Sequence, residues 1–215
     1  MPPVPEALLL LIRHGETEWN TAGRIQGFRD IALSARGLRQ AQVLARHLEG
    51  QSFDAVYSSD LARAIQTAEP IARQRGVAVR IDARLKERGF GLFEGHTYAE
   101  AEANWPHEYA IWQRRDPGHA LPGGESYRDA RVRVLAGLEE IARRHAGHTV
   151  AIVTHGGVLD IVYRAAHGIA WETPRSHLLP NASINRVRAV VPGPQLEVLD
   201  WARSEHLDDA RDEIA

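Results

Sequence analysis

An arginine, a histidine and a glycine stand together at Arg13-His14-Gly15, directly after an apolar run at residues 7–12. Such a run reads as a buried strand, and open α/β sheets bind ligands just past their strands' carboxyl ends. Arginine would bring a planar fork of positive charge that fits a phosphate. Glycine would let the backbone approach closely. A neutral imidazole can attack phosphorus and carry the phosphoryl group covalently. Taken alone, the tripeptide is explained more simply by a strand ending in polar surface residues, so the rest of the chain must decide.

Three further segments repeat the theme. Ser58-Ser59-Asp60-Leu61-Ala62-Arg63-Ala64 follows a second apolar stretch and puts Arg63 in the first turn of a helix, where the helix dipole favours an anion. Leu85-Lys86-Glu87-Arg88-Gly89-Phe90-Gly91 offers Glu87 as a proton carrier. Thr154-His155-Gly156-Gly157 repeats the His-Gly pairing and opens a helix whose first N–H groups are unpaired. Each residue has a plainer explanation alone: Arg63 as a solvated charge, Glu87 as a loop salt-bridge partner of Lys86 or Arg88, His155 as a buried histidine on a carbonyl. Together, two arginines, two histidines, a helix start and a carboxylate make a phosphoryl-transfer site that needs no metal.

The elements that must position these residues alternate strand and helix. Strands are expected at residues 7–13, 55–58, 77–81 and 149–154, the last continuously apolar and therefore central. Ser34 caps a helix to about residue 49, ended by Gly50, with Leu38, Ala41, Leu44, Ala45 and Leu48 on its inner face. Ser59 or Asp60 caps a helix to about residue 75. An irregular helix covers 99–112, interrupted at Pro106, and Pro122-Gly123-Gly124 is a loop. Helices follow at 126–145, with Ala130, Val134, Leu138 and Ile141 inward, and at 157–167. Residues 184–191 and 196–201 form a closing pair of strands across Pro192-Gly193-Pro194. The pattern predicts a three-layer α/β/α sandwich on a mostly parallel sheet. It forms a single domain at 7–201, between a disordered lead-in at 1–6 and a charged, exposed tail at 202–215.

Composition narrows the partners. The 215 residues suffice for one α/β domain with a sizeable core. A net charge of −2 gives no general basic field, so nucleic acid is not expected. There is no cysteine, which removes disulfide and thiolate chemistry and fits the cytoplasm. No apolar run could span a bilayer, and the first residues lack a signal peptide's basic start. His145, His148 and His167 fall at helix ends and His47 on a helix flank. No pair of histidines with a carboxylate has zinc-ligand spacing. No metal and no cofactor is expected.

Arg13-His14-Gly15 with Asn20, Ser58…Arg63-Ala64…Gln66-Thr67-Ala68, Leu85…Glu87…Gly91…Glu94-Gly95 and Thr154-His155-Gly156-Gly157 together resemble the histidine phosphatase superfamily. That family holds the cofactor-dependent phosphoglycerate mutases and related phosphatases, and the resemblance spans residues 7–191. It implies a phosphoglycerate mutase-like fold and a set of roles. His14 would become phosphohistidine. Arg13, Arg63 and His155 would hold the phosphoryl oxygens, helped by Asn20 and the Gly156 N–H. Glu87 would give a proton to the leaving alcohol and take one from the incoming water.

The resemblance also bears on phosphatase against mutase. Only residues 116–124 stand where the mutases carry a long insertion, and Pro122-Gly123-Gly124-Glu125-Ser126 looks like the phosphatase branch. So do Gln26-Gly27 and Phe93-Glu94-Gly95, and Tyr98 stands where the mutases place a lysine. Against this, Trp112-Gln113-Arg114-Arg115 resembles the mutase segment whose arginines grip a substrate carboxylate. Gln26, Gly27, Arg114 and Arg115 are therefore candidate specificity residues, along with loops 95–124 and 175–183. The expected reading is a metal-independent phosphatase of small phosphorylated metabolites, monomeric or homodimeric. A mutase-type isomerase is the alternative, and a non-catalytic phospholigand binder the third.

Overall fold

The computed structural model describes residues 5–193 and 195–207. Its sheet has the order β3-β2-β4-β1-β5-β6. Strands β1 (Glu6–Arg13), β2 (Ala55–Ser58), β3 (Val79–Ile81) and β4 (Thr149–Thr154) run parallel, whereas β5 (Ile184–Val190) and β6 (Gln195–Arg203) close one side antiparallel. Alternate side chains of β1 feed opposite faces, as the two-residue repeat of a strand requires. Leu9 and Leu11 pack with α6 (Tyr127–Arg144) and α7 (Gly156–His167). Leu10 and Ile12 pack with α2 (Ala35–His47) and α3 (Ala62–Arg75). That is the three-layer α/β/α sandwich with a mostly parallel sheet.

The register places the site. Arg13 pairs with Thr154, and Ser58 with Val153, so β1, β2 and β4 all end at one edge. The short helix α1 (Glu18–Thr21) follows β1, held by a capping box between Thr17 and Asn20. Gly37, in the first turn of α2, has no room for a Cβ against the Glu16 backbone, so its missing side chain lets α2 close on the loop after His14. A smaller apolar cluster joins Ile25, Phe93, Ala101 and Leu121 to Trp105, Tyr109 and Trp112. It stands on α4 (Tyr98–Asn104) and α5 (Pro106–Gln113), split where Pro106 begins the second helix.

Several expectations shift. Leu38 is 46% exposed, because the buried stripe of α2 runs through Gly37, Ala41, Leu44 and Ala45 instead. Leu48 caps α2 before Gly50 is reached. Neither Ser59 nor Asp60 caps α3: its N-cap is Leu61, and the Ala62 N–H donates to Asp30 Oδ1 at 2.7 Å. β3 starts two residues later than expected, at Val79. Glu6 already belongs to β1, paired with Val190. The expected tail is ordered and only partly exposed in its first part. β6 runs to Arg203, and His206 is buried with its ring stacked 4.9 Å from His47. Residues 1–4 of the lead-in and 208–215 of the tail lie outside the described residues.

Candidate active site

His14 sits at the end of β1 with its backbone N–H on the Thr154 carbonyl at 2.9 Å. Its side chain is almost fully buried. Nδ1 lies 2.7 Å from the Gly15 carbonyl oxygen, which can only accept, so the Nδ1–H donates there and the lone pair is left on Nε2. Burial pushes the His14 pKa well below the usual histidine range, and Arg63 and Arg13 push it the same way against the Gly15 carbonyl. The imidazole is therefore neutral near pH 7. His155, the N-cap of α7, faces it with ring centroids 5.2 Å apart. His155 Nε2 meets Ser59 Oγ at 2.7 Å, while Nδ1 is buried without a partner. Burial, then Arg63, His14 and Arg13, keep His155 neutral too.

Two guanidiniums flank the histidines. Arg63 is fully buried at the start of α3, its Nη1 donating to Arg29 O at 2.7 Å and its Nη2 to Gly27 O at 2.9 Å. Those bonds fix the fork, and Nε is left buried with no partner. Arg13 donates from Nη1 to the Leu179 carbonyl, and its Nε is likewise unpartnered. Burial lowers the Arg13 pKa to about 10, so it stays charged at neutral pH. Burial also lowers that of Arg63, opposed by Glu87. Asn181 joins the far loop to this edge: its Nδ2 contacts the His14 and Gly15 carbonyls at 3.1 and 3.3 Å and Asn20 Oδ1 at 3.2 Å. With Oδ1 so held, the amino group is the end of Asn20 that serves the cavity it lines.

Glu87 closes the group. Its Oε1 accepts the Arg88 N–H at 2.8 Å and its Oε2 the Gly157 N–H at 3.0 Å. A Cβ on Gly157 would collide with Oε1, so glycine is required for the carboxylate to reach the start of α7. Arg13, His14, Asn20, Gln26, Gly27, Arg63, Glu87, Gly156 and Arg115 all line one cavity of about 530 Å³. His155 does not line that cavity and is buried against the His14 ring. Among the described residues, no three His, Cys, Asp or Glu side chains are grouped to hold a metal ion.

A family model for the histidine phosphatase superfamily, branch 1, matches residues 9–202. The chain belongs to the histidine phosphatase superfamily. It is 38% identical over 203 residues to a metal-independent phosphoserine phosphatase of Arabidopsis thaliana, covering 93% of this chain and 82% of that one. It is 35% identical over 209 residues to phosphoglycerate mutase-like protein 4 of the same plant, covering 96% and 89%. The structure superimposes on YhfR of Bacillus stearothermophilus with a TM-score of 0.83 at 31% identity, covering 94% and 99%. This histidine phosphatase is a phosphoric monoester hydrolase, and its outer cavity wall bears on which ester it takes.

That wall combines one residue the sequence singled out, Arg115, with others it did not. Arg115 turns inward and Arg114 does not: Arg114 caps α5 in ordinary helical geometry and is exposed, whereas Arg115 has φ 55°. Arg115 stacks 4.3 Å over Trp171 and donates from Nε to that residue's carbonyl at 2.8 Å. Arg88 is buried 5.1 Å over the same ring, with Nε unpartnered. Tyr127 stacks on Trp171 at 4.1 Å. Asp160, on α7, pairs with the buried Arg164 at 2.9 Å. Nothing local in the sequence showed the contacts of Ser59 and Asn181, since each acts on a partner distant in sequence.

Proposed function

We propose that this chain hydrolyses small phosphorylated metabolites through phosphohistidine at His14, without a metal and in the cytoplasm. The observation that carries the reading is a neutral His14 with its lone pair on Nε2, beside three buried groups with unpartnered nitrogens: Arg13 Nε, Arg63 Nε and His155 Nδ1. Phosphoryl oxygens are the acceptors that would match those donors. In the first step His14 Nε2 attacks phosphorus and the P–O ester bond breaks. The alcohol leaves with a proton from Glu87. In the second, water gives its proton to Glu87 and attacks phosphorus, the P–N bond breaks, and inorganic phosphate departs. Arg13 and Arg63 match the charge spread over the phosphoryl oxygens, with Asn20 and the Gly156 N–H assisting.

Arg115 on the cavity wall favours a substrate with a second anionic group. The same residue is the one feature favouring a mutase-type reaction, since its segment resembles the mutase carboxylate grip. A pure phospholigand binder would need neither a nucleophile nor a proton donor. Turnover of an aryl phosphate in excess chelator tests the phosphatase reading. Activity lost in chelator and restored by one divalent metal would sink the metal-free site. Product analysis with 3-phosphoglycerate, with and without 2,3-bisphosphoglycerate, separates hydrolysis from isomerisation.

A further inference from the structure

Glu94 does not line the cavity, yet its carboxylate joins two of the segments that build it. Its side chain is nearly buried, at 8% exposure. Oε1 accepts two backbone N–H groups at once, from Phe28 at 2.9 Å and from Phe90 at 2.9 Å. Phe90 closely follows Glu87 in the chain. Phe28 lies between Gly27 and Arg29, whose carbonyls receive the Nη2 and Nη1 donors of Arg63. One carboxylate oxygen therefore clamps the cradle of Arg63 to the segment that carries Glu87.

The cradle depends on that clamp. Phe28, Arg29 and Asp30 are exposed, so hydrogen bonds more than packing must hold the stretch. Gly27 has φ 51°, and a Cβ there would stand 2.0 Å from Glu94 Oε1, so glycine makes room for the carboxylate. Arg63 is fully buried with its fork on the two carbonyls, and the direction of its unpartnered Nε follows them. A shift of about 1 Å in such a group can cost roughly 10²-fold in rate. Glu94 also favours the charge on Arg63, but behind Glu87 and Asp30. Its distinctive contribution is reach. We propose that Glu94 is a positioning residue of the phosphoryl site, which aims the Arg63 guanidinium by holding residues 27–29. This rests on the reading that Arg63 holds phosphoryl oxygens.

Calorimetry with inorganic phosphate tests it without turnover. Glu94→Ala should weaken phosphate binding about tenfold or more, the scale of a hydrogen bond to a charged group. Arg63→Ala should weaken it as well. The double variant should bind no more weakly than Arg63→Ala alone, because both changes act through one guanidinium. A role in fold stability alone would leave the affinity of the folded molecules unchanged, and the binding stoichiometry reports the folded fraction separately. Glu94→Gln keeps an oxygen within reach of both N–H groups and should retain most of the affinity. Glu94→Asp keeps the charge but shortens the reach, and should not. If Glu94→Ala does not fold, Glu94→Asp takes its place in the comparison. Wild-type affinity in both Glu94→Ala and Glu94→Asp, a loss confined to Glu94→Gln, or losses that multiply in the double variant overturn the proposal and leave the role of Arg63 standing. Unchanged affinity in Arg63→Ala overturns that role, and the proposal with it.

Discussion

Glu87 Oε2 accepts the backbone N–H of Gly157 at 3.0 Å, which ties the carboxylate to the start of the helix that follows His155. The contact exists because Gly157 has no Cβ in the way of the other carboxylate oxygen. The proposed proton donor and the proposed phosphoryl site are thus fixed to one another by backbone.

Glu87→Gln should slow single-turnover phosphorylation of His14 by alkyl esters roughly 10²–10⁴-fold, the contribution of a positioned general acid. Nitrophenyl esters, whose leaving group hardly needs a proton, should lose far less. Equal slowing of both ester types would remove Glu87 from the donor role.

Gly157→Ala should mimic that loss by displacing the carboxylate. Combined with Glu87→Gln it should add little, since both changes act through one contact. Stability should hold or rise by up to about 1 kcal/mol, because alanine favours a helix over glycine. Additive rate effects in the double variant would mean that Gly157 acts by another route.

His14→Ala should abolish turnover of every ester while the protein stays folded. Wild type quenched during turnover should carry an acid-labile phosphate on His14. A stable phosphoserine, or near-normal turnover by His14→Ala, would refute the nucleophile assignment.

Acid should destabilise the fold through its buried histidines. His14 and His155 titrate well below 6.5 when folded, burial being the main cause. Below that pH the unfolded chain binds more protons than the folded one, so stability falls as pH drops from about 6.5 towards the folded values. The slope approaches about 1.4 kcal/mol per pH unit for each histidine. His14→Ala/His155→Ala should flatten the decline in urea midpoint below about pH 6.5 without removing it, because burial lowers His145 and His177 as well. An unchanged slope in the double variant would contradict the buried, neutral state of the pair.

Arg13, His14, Arg63, Glu87 and His155 were legible in the sequence because each follows a strand or opens a helix. Those elements announce themselves locally, by an apolar run or by the repeat of a buried helix face. The same periodicity placed the sheet's central strand at Thr149–Thr154 and the inward face of α6. It could not show that Leu38 lies outside the buried stripe, which depends on how α2 is rotated against α3. Only the tertiary structure gave Ser59 to His155 across 96 residues, and Asn181 to Gly15 across 166. It alone turned Arg115 inward while Arg114 faced solvent, and set Asp160 beside His177. The physical reason is the range of the forces involved. Burial patterns and chain turns are written in neighbouring residues. Which distant side chain satisfies a buried donor or acceptor is fixed only when the strands and helices pack.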